Sequence, residues 1–133
     1  GKILQVVNKV WTTEDTLSNS FTANKYDQSV TTEGANSNWI FIAQPARMLV
    51  KANSEIKARV NESTNDIGDT RREWRNYTSS DNRAGCTAFW YYDWSLAAGA
   101  TVTMSLQWYS NSNSSSVGDG GQNSNFIIIE VAA

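Results

Sequence analysis

With 133 residues the chain has the length of a single domain, large enough to bury a core without disulfide staples. Charged residues are only 18% and the net charge is −2 with no sustained basic block, which argues against nucleic acid; no apolar run approaches a membrane span. The chain has no histidine and one cysteine, which excludes Ser–His and Cys–His nucleophile pairs, zinc sites of familiar type and an internal disulfide.

Six Trp, five Tyr and four Phe stand among 14 Asn, 16 Ser and 12 Thr, a mixture that favours strands and turns over helices. Near the start, Leu4, Val6 and Val10 oppose Ile3, Val7 and Trp11, so both faces of this strand read as covered. Residues 12–38 form a long polar stretch that Phe21, Tyr26 and Val30 pin to the body. Apolar runs at 38–42 and 48–50 are separated by Pro45, which marks a strand end or turn. Ile56, Ala58 and Val60 alternate with Lys57 and Arg59 as in a half-buried strand, and residues 66–76 have room for a short helical turn. Residues 86–94 read as one aromatic strand, with Trp90, Tyr92 and Trp94 on one face and Phe89, Tyr91 and Asp93 on the other; Cys86 reads as a small buried apolar residue in it. Val102, Met104, Leu106 and Trp108 give the clearest period of two. A Gly- and Ser-rich loop over 111–125 then leads into a closing apolar strand over 125–131. Apolar strands at both ends of a chain point to pairing inside a sheet rather than to loose tails. The expectation is an all-β fold: a single-domain antiparallel β-sandwich or jelly roll of seven or eight strands over residues 1–133.

Chemistry is sparse. There is no phosphate-cradling GxxxxGK run and no strand–Gly loop–helix unit for a dinucleotide. Asp66 and Asp69, bracketing Ile67-Gly68, and Asp119 in its Gly-rich loop do not match the spacing of a calcium loop. A glycosidase needs two facing acids, and nothing in the pattern pairs any two of the 13. The expectation is a non-enzymatic protein without catalytic residues, metal or cofactor. Two aromatic clusters remain: Trp74 and Tyr77 among Arg71, Arg72 and Arg75, and Tyr91 and Trp94 flanking Asp93. These eight are the candidate contact residues. Aromatic rings beside Arg, Asn or Asp stack on sugars, and equally form protein–protein hot spots. The third reading places them in the core.

Four segments in order resemble a known family: the opening GKILQVV at 1–7, the Ile-Gly-Asp turn within 67–72, the Tyr-Asp-bearing strand at 91–93 followed by 100–107, and the closing IIIEVAA at 127–133. Together they resemble a small β-sandwich domain of tailed-bacteriophage virion proteins, of the fibre-tip or decoration type. The resemblance implies a non-enzymatic component of the virion exterior and transfers no catalytic residue. No shaft or anchoring domain precedes Gly1, so the expectation is a free-standing subunit: a capsid decoration (cement) protein or a small tail- or fibre-associated one. The expected partners are further copies of the chain as a homotrimer, other capsid or tail proteins, and in the alternative reading a host surface glycan, which would make the chain a lectin-like receptor-recognition module. Nucleic acid and membrane are not expected partners. With Gly1 standing where an initiator Met has been removed, synthesis in the bacterial host cytoplasm without a signal peptide is expected.

Overall fold

The computed structural model describes residues 1–21, 26–62, 65, 66 and 71–133, and among these every regular element is a β-strand. In chain order they are β1 (Ile3–Trp11), β2 (Asp15–Thr16), β3 (Asp27–Thr31), β4 (Asn38–Gln44), β5 (Met48–Val50), β6 (Ser54–Glu62), β7 (Asn65–Asp66), β8 (Arg72–Asn76), β9 (Asn82–Ala84), β10 (Ala88–Asp93), β11 (Thr101–Ser110), β12 (Ser116–Val117) and β13 (Ser124–Val131). Eight of them are five residues or longer, as the sequence suggests; the rest are pairs or triplets.

The first sheet has the order β1-β13-β4-β10, and the second has β3-β11-β6 with β8 and β7 sharing the outer side of β6. Numbering the eight long strands one to eight along the chain, the sheets read 1-8-3-6 and 2-7-4-5, with every ladder antiparallel. All but one of the connections between these strands switch sheets, so the molecule is an antiparallel jelly-roll β-sandwich. The terminal strands pair directly, Ile3 opposite Val131 through Trp11 opposite Ser124. The opening and closing segments of the family resemblance are thus one ladder.

A third, small sheet has the order β2-β12-β5-β9. Each of its strands is the chain neighbour of the first-sheet strand in the same place: β2 follows β1, β12 precedes β13, β5 follows β4 and β9 precedes β10. The first sheet therefore breaks along one line and resumes. The breaking residues lie where the ladder cannot continue. Pro45 has no N–H to donate. Gly118 holds φ +88°, and a Cβ there would lie 2.1 Å from the Thr13 carbonyl oxygen.

The core lies between the inner faces of the two main sheets. Trp39, Phe41, Trp90, Phe126 and Ile128 come from the first, Ile56, Val60, Met104, Leu106 and Trp108 from the second. Phe41 and Phe126 stack at 6.2 Å between ring centres. Ala43, Ala58 and Ala88 provide room for this aromatic load. Tyr26 and Val30 are buried and Phe21 packs on Tyr109, so these three do pin the long polar stretch.

Three expectations are corrected. Residues 72–76 are a strand, because Arg72, Trp74 and Asn76 alternate inward against exposed Glu73 and Arg75; Ile67, Gly68 and Asp69 lie outside the described residues. The stretch 12–38 contains β3, whose single apolar residue, Val30, gives almost no periodic signal. Cys86 precedes β10 instead of lying in it and is only half-buried. A bulge between Ile3 and Gln5 also turns Ile3 onto the same face as Val6.

Candidate functional site

The ladders of the first sheet fix which residues share its outer face. Val6, Ile129, Ile40 and Tyr91 form one rank across all four strands, and Asn8, Ile127, Ile42 and Phe89 form the next. Ile3, Val131, Asn38 and Asp93 flank them on one side, and Val10, Asn125 and Gln44 on the other. Ten of these fifteen positions are aliphatic or aromatic, and Asp93 is the one charge among them. Ile3, Val6, Phe89 and Tyr91 are each more than half exposed, and the central isoleucines are half-buried only by their neighbours in the sheet.

Strand spacings of about 4.8 Å and rank spacings of about 6.8 Å make this a flat face of roughly 500 Å². Its apolar share, about two thirds, is on the scale of the largest patch that an ordinary monomer carries, about 300–600 Å² and often functional. The second sheet gives the contrast. Its outer face carries a hydroxyl ladder, Ser29 with Thr103 at 3.2 Å and Thr31 with Thr101 at 3.0 Å. Beside the ladder, Arg59 donates to Gln107, and an ion-pair chain joins Lys57, Glu55, Arg75 and Glu73. An antiparallel sheet with one wet face shows polar residues there; one with apolar residues on both faces is covered on both. The second sheet has such a wet face; the first carries apolar residues on both faces, with the outer one open in the single chain.

At the corner of the apolar face, the Tyr91 hydroxyl donates to Asp93 at 3.1 Å. Its pKa is raised, by loss of water contact first and then by the carboxylate beside it. Along the line where the first sheet breaks lies a cleft of about 530 Å³, lined by Gln44, Pro45, Ala46, Gly85, Cys86, Thr87 and Asn123. Its lining has carboxamides and a hydroxyl but no charged side chain. Burial raises the pKa of the Cys86 thiol, so it is not poised as a nucleophile.

No protein-family model and no curated protein sequence matches the chain. Among solved structures it is similar to the native structure of a family 35 carbohydrate binding module from Clostridium thermocellum. The two are 14% identical over 94% of this chain and 97% of that one, with a TM-score of 0.37. At that level the likeness carries no weight for the site or its ligand.

The eight residues singled out in the sequence do not form one site. Tyr91 and Asp93 belong to the apolar face of the first sheet. Trp94 is half-buried, edge-on to Trp39 and Tyr92, and belongs to the core. Trp74 likewise packs on Trp108 at 6.0 Å. Arg72 reaches across the sandwich edge, donating to the Phe89 carbonyl at 2.8 and 3.1 Å and lying 5.8 Å from the Trp90 ring. Arg71 sits 5.5 Å from the Phe21 ring, which Arg59 also covers at 4.1 Å. Arg75 and Tyr77 are exposed at the far end of β8. The aliphatic majority of the face lies outside those eight, because isoleucine has no polar group or ring that would single it out in a sequence. Its signal lies in β1, β4 and β13, where apolar residues occupy both parities of one strand.

Proposed function

We propose that this chain is a non-enzymatic structural subunit of a bacteriophage particle's exterior, a capsid decoration (cement) protein or a small tail- or fibre-associated module. It works by assembling through the outer face of its first sheet. One observation carries the reading: ten of fifteen outward positions on that sheet are apolar, while the other sheet's outer face is hydroxyls and ion pairs. Shared flank to flank around a ring, the face gives each contact roughly 500 Å², which is small, so the ring depends on its contacts closing together. The virion setting is supported by the family resemblance, whose opening and closing segments pair as the β1–β13 ladder that builds half of the face.

The face is not uniform. Its β10 flank is aromatic, with Phe89 and Tyr91, and its β1–β13 flank is aliphatic, with Val6, Ile127 and Ile129. A head-to-tail contact sets one flank on the other, and such contacts close into rings, of which the trimer is the smallest. Light scattering at micromolar concentration is expected to give the mass of three chains. The double substitution Val6→Glu with Tyr91→Glu is expected to give a folded monomer, since both side chains already lie in the open. A wild-type monomer at that concentration would sink the reading.

A further inference from the structure

A second place on the molecule does not belong to the apolar face. At the end of the second sheet, where β6 begins and β8 and β11 finish, lies a cavity of about 110 Å³ whose lining includes Asn53, Glu55, Arg75, Tyr77 and Asn111. We propose that it is a binding site for one neutral sugar residue, seated against the Tyr77 ring. This goes beyond the assembly role and needs only the sheet that assembly leaves exposed.

Tyr77 is 79% exposed, the most open large apolar side chain in the described chain, and its hydroxyl bonds to no described residue. Yet its backbone is held firmly. Next to it the buried Asn76 donates to the carbonyls of Val50 at 3.1 Å and Ser80 at 2.8 Å, and accepts from the Thr78 amide and hydroxyl at 3.0 and 2.7 Å. An exposed aromatic ring on a fixed base costs little to order on binding. Around it stand the groups that a sugar's hydroxyls require. Asn53 is exposed at φ +52° and makes no side-chain hydrogen bond among the described residues. The Asn111 side-chain oxygen is taken by the Glu55 amide at 2.9 Å, which leaves its NH₂ as a donor. Asparagine and glutamate oxygens supply acceptors.

The charges decide the ligand class. Arg75 donates to Glu55 at 2.9 Å and also pairs with Glu73, and Lys57 pairs with Glu55 at 3.2 Å. Two cations and two anions are thus already matched, so no uncommitted charge awaits a sialylated or sulfated sugar. The cavity is small, about 110 Å³, and opens to solvent beside the exposed Tyr77, so it suits one sugar ring that stays partly in water rather than an extended oligosaccharide.

The test is an NMR titration of the full chain with the methyl glycosides of glucose, galactose, mannose and N-acetylglucosamine, each to tens of millimolar. At least one is expected to bind, with shifts at Tyr77 and Asn111. Tyr77→Ala is expected to weaken it about tenfold and Tyr77→Phe to leave it nearly unchanged, because the ring and not the hydroxyl carries the contact. Tyr91→Ala, on the other sheet, is expected to leave sugar binding intact whatever it does to assembly. Silence with all four glycosides, or binding that survives Tyr77→Ala, would overturn the proposal without touching the oligomeric state.

Discussion

Glu130 is the residue whose role is least expected from its neighbours. It lies fully buried and pairs with no cation among the described residues. Each carboxylate oxygen instead receives two donors: Ser37 Oγ at 2.7 Å and the Gly34 amide at 2.9 Å on one, Gln5 Nε2 at 2.6 Å and the Glu33 amide at 2.9 Å on the other. Burial pushes its pKa up, but these donors together more than offset it, and the net value lies below the ordinary 4.5. A lowered folded-state value means that the ionised form stabilises the fold. That contribution is complete above the unfolded value and is lost as pH falls through the folded one. Denaturant midpoints are therefore expected to drop as pH falls below about 4.5. Glu130→Gln, which turns one acceptor into a donor facing two donors, is expected to cost about 2–4 kcal/mol at neutral pH and to flatten that acid dependence. An unchanged midpoint in the variant would refute this role. The glutamate of the closing motif thus has a structural reason: it ties the loop ahead of β4 to β13. Sequence shows the residue but not its four donors, which come from segments up to 125 positions away.

At the scale of elements, β10 shows how much one strand discloses. Its alternation correctly separates Trp90 and Tyr92 from Phe89 and Tyr91, because period two follows from backbone geometry alone. Which face is core and which is contact depends on what the neighbouring strands bring. Trp90→Ala is expected to cost about 3–5 kcal/mol of stability, as for other buried aromatics. Phe89→Ala should change monomer stability by less than about 0.5 kcal/mol, being on the open face, while weakening association. Equal thermal destabilisation of the two variants would mean that the assignment of faces is wrong. Strands with strong alternation, β6 and β11, were legible in the sequence; β3 and β8 were not. In β3 only Val30 is apolar, and in β8 Arg72 and Asn76 take two of the three inward positions, which a hydrophobic pattern ignores.

Over the whole molecule, the two sheets divide the work: one outer face is wet and internally ion-paired, the other is apolar and nearly uncharged. Association through the latter is expected to persist, or to tighten, between 0.05 and about 1 M NaCl, because screening weakens charge contacts and leaves apolar burial intact. Dissociation on adding salt, seen by sedimentation, would point instead to the Lys57–Glu55–Arg75–Glu73 chain as the interface. By itself, the sequence determined the fold class, most strands of the sandwich, and the pairing role of both termini. Those follow from local periodicity and from the burial that a 133-residue chain rich in aromatics demands. Only the tertiary structure decided that Ile3, Val6, Ile40, Ile42, Ile127, Ile129, Phe89 and Tyr91 lie on one surface, and that Trp74 and Trp94 do not. The reason is register. A strand's own pattern says that it has two faces, but only its hydrogen-bonded neighbours, distant in the chain, settle which side chains stand beside one another.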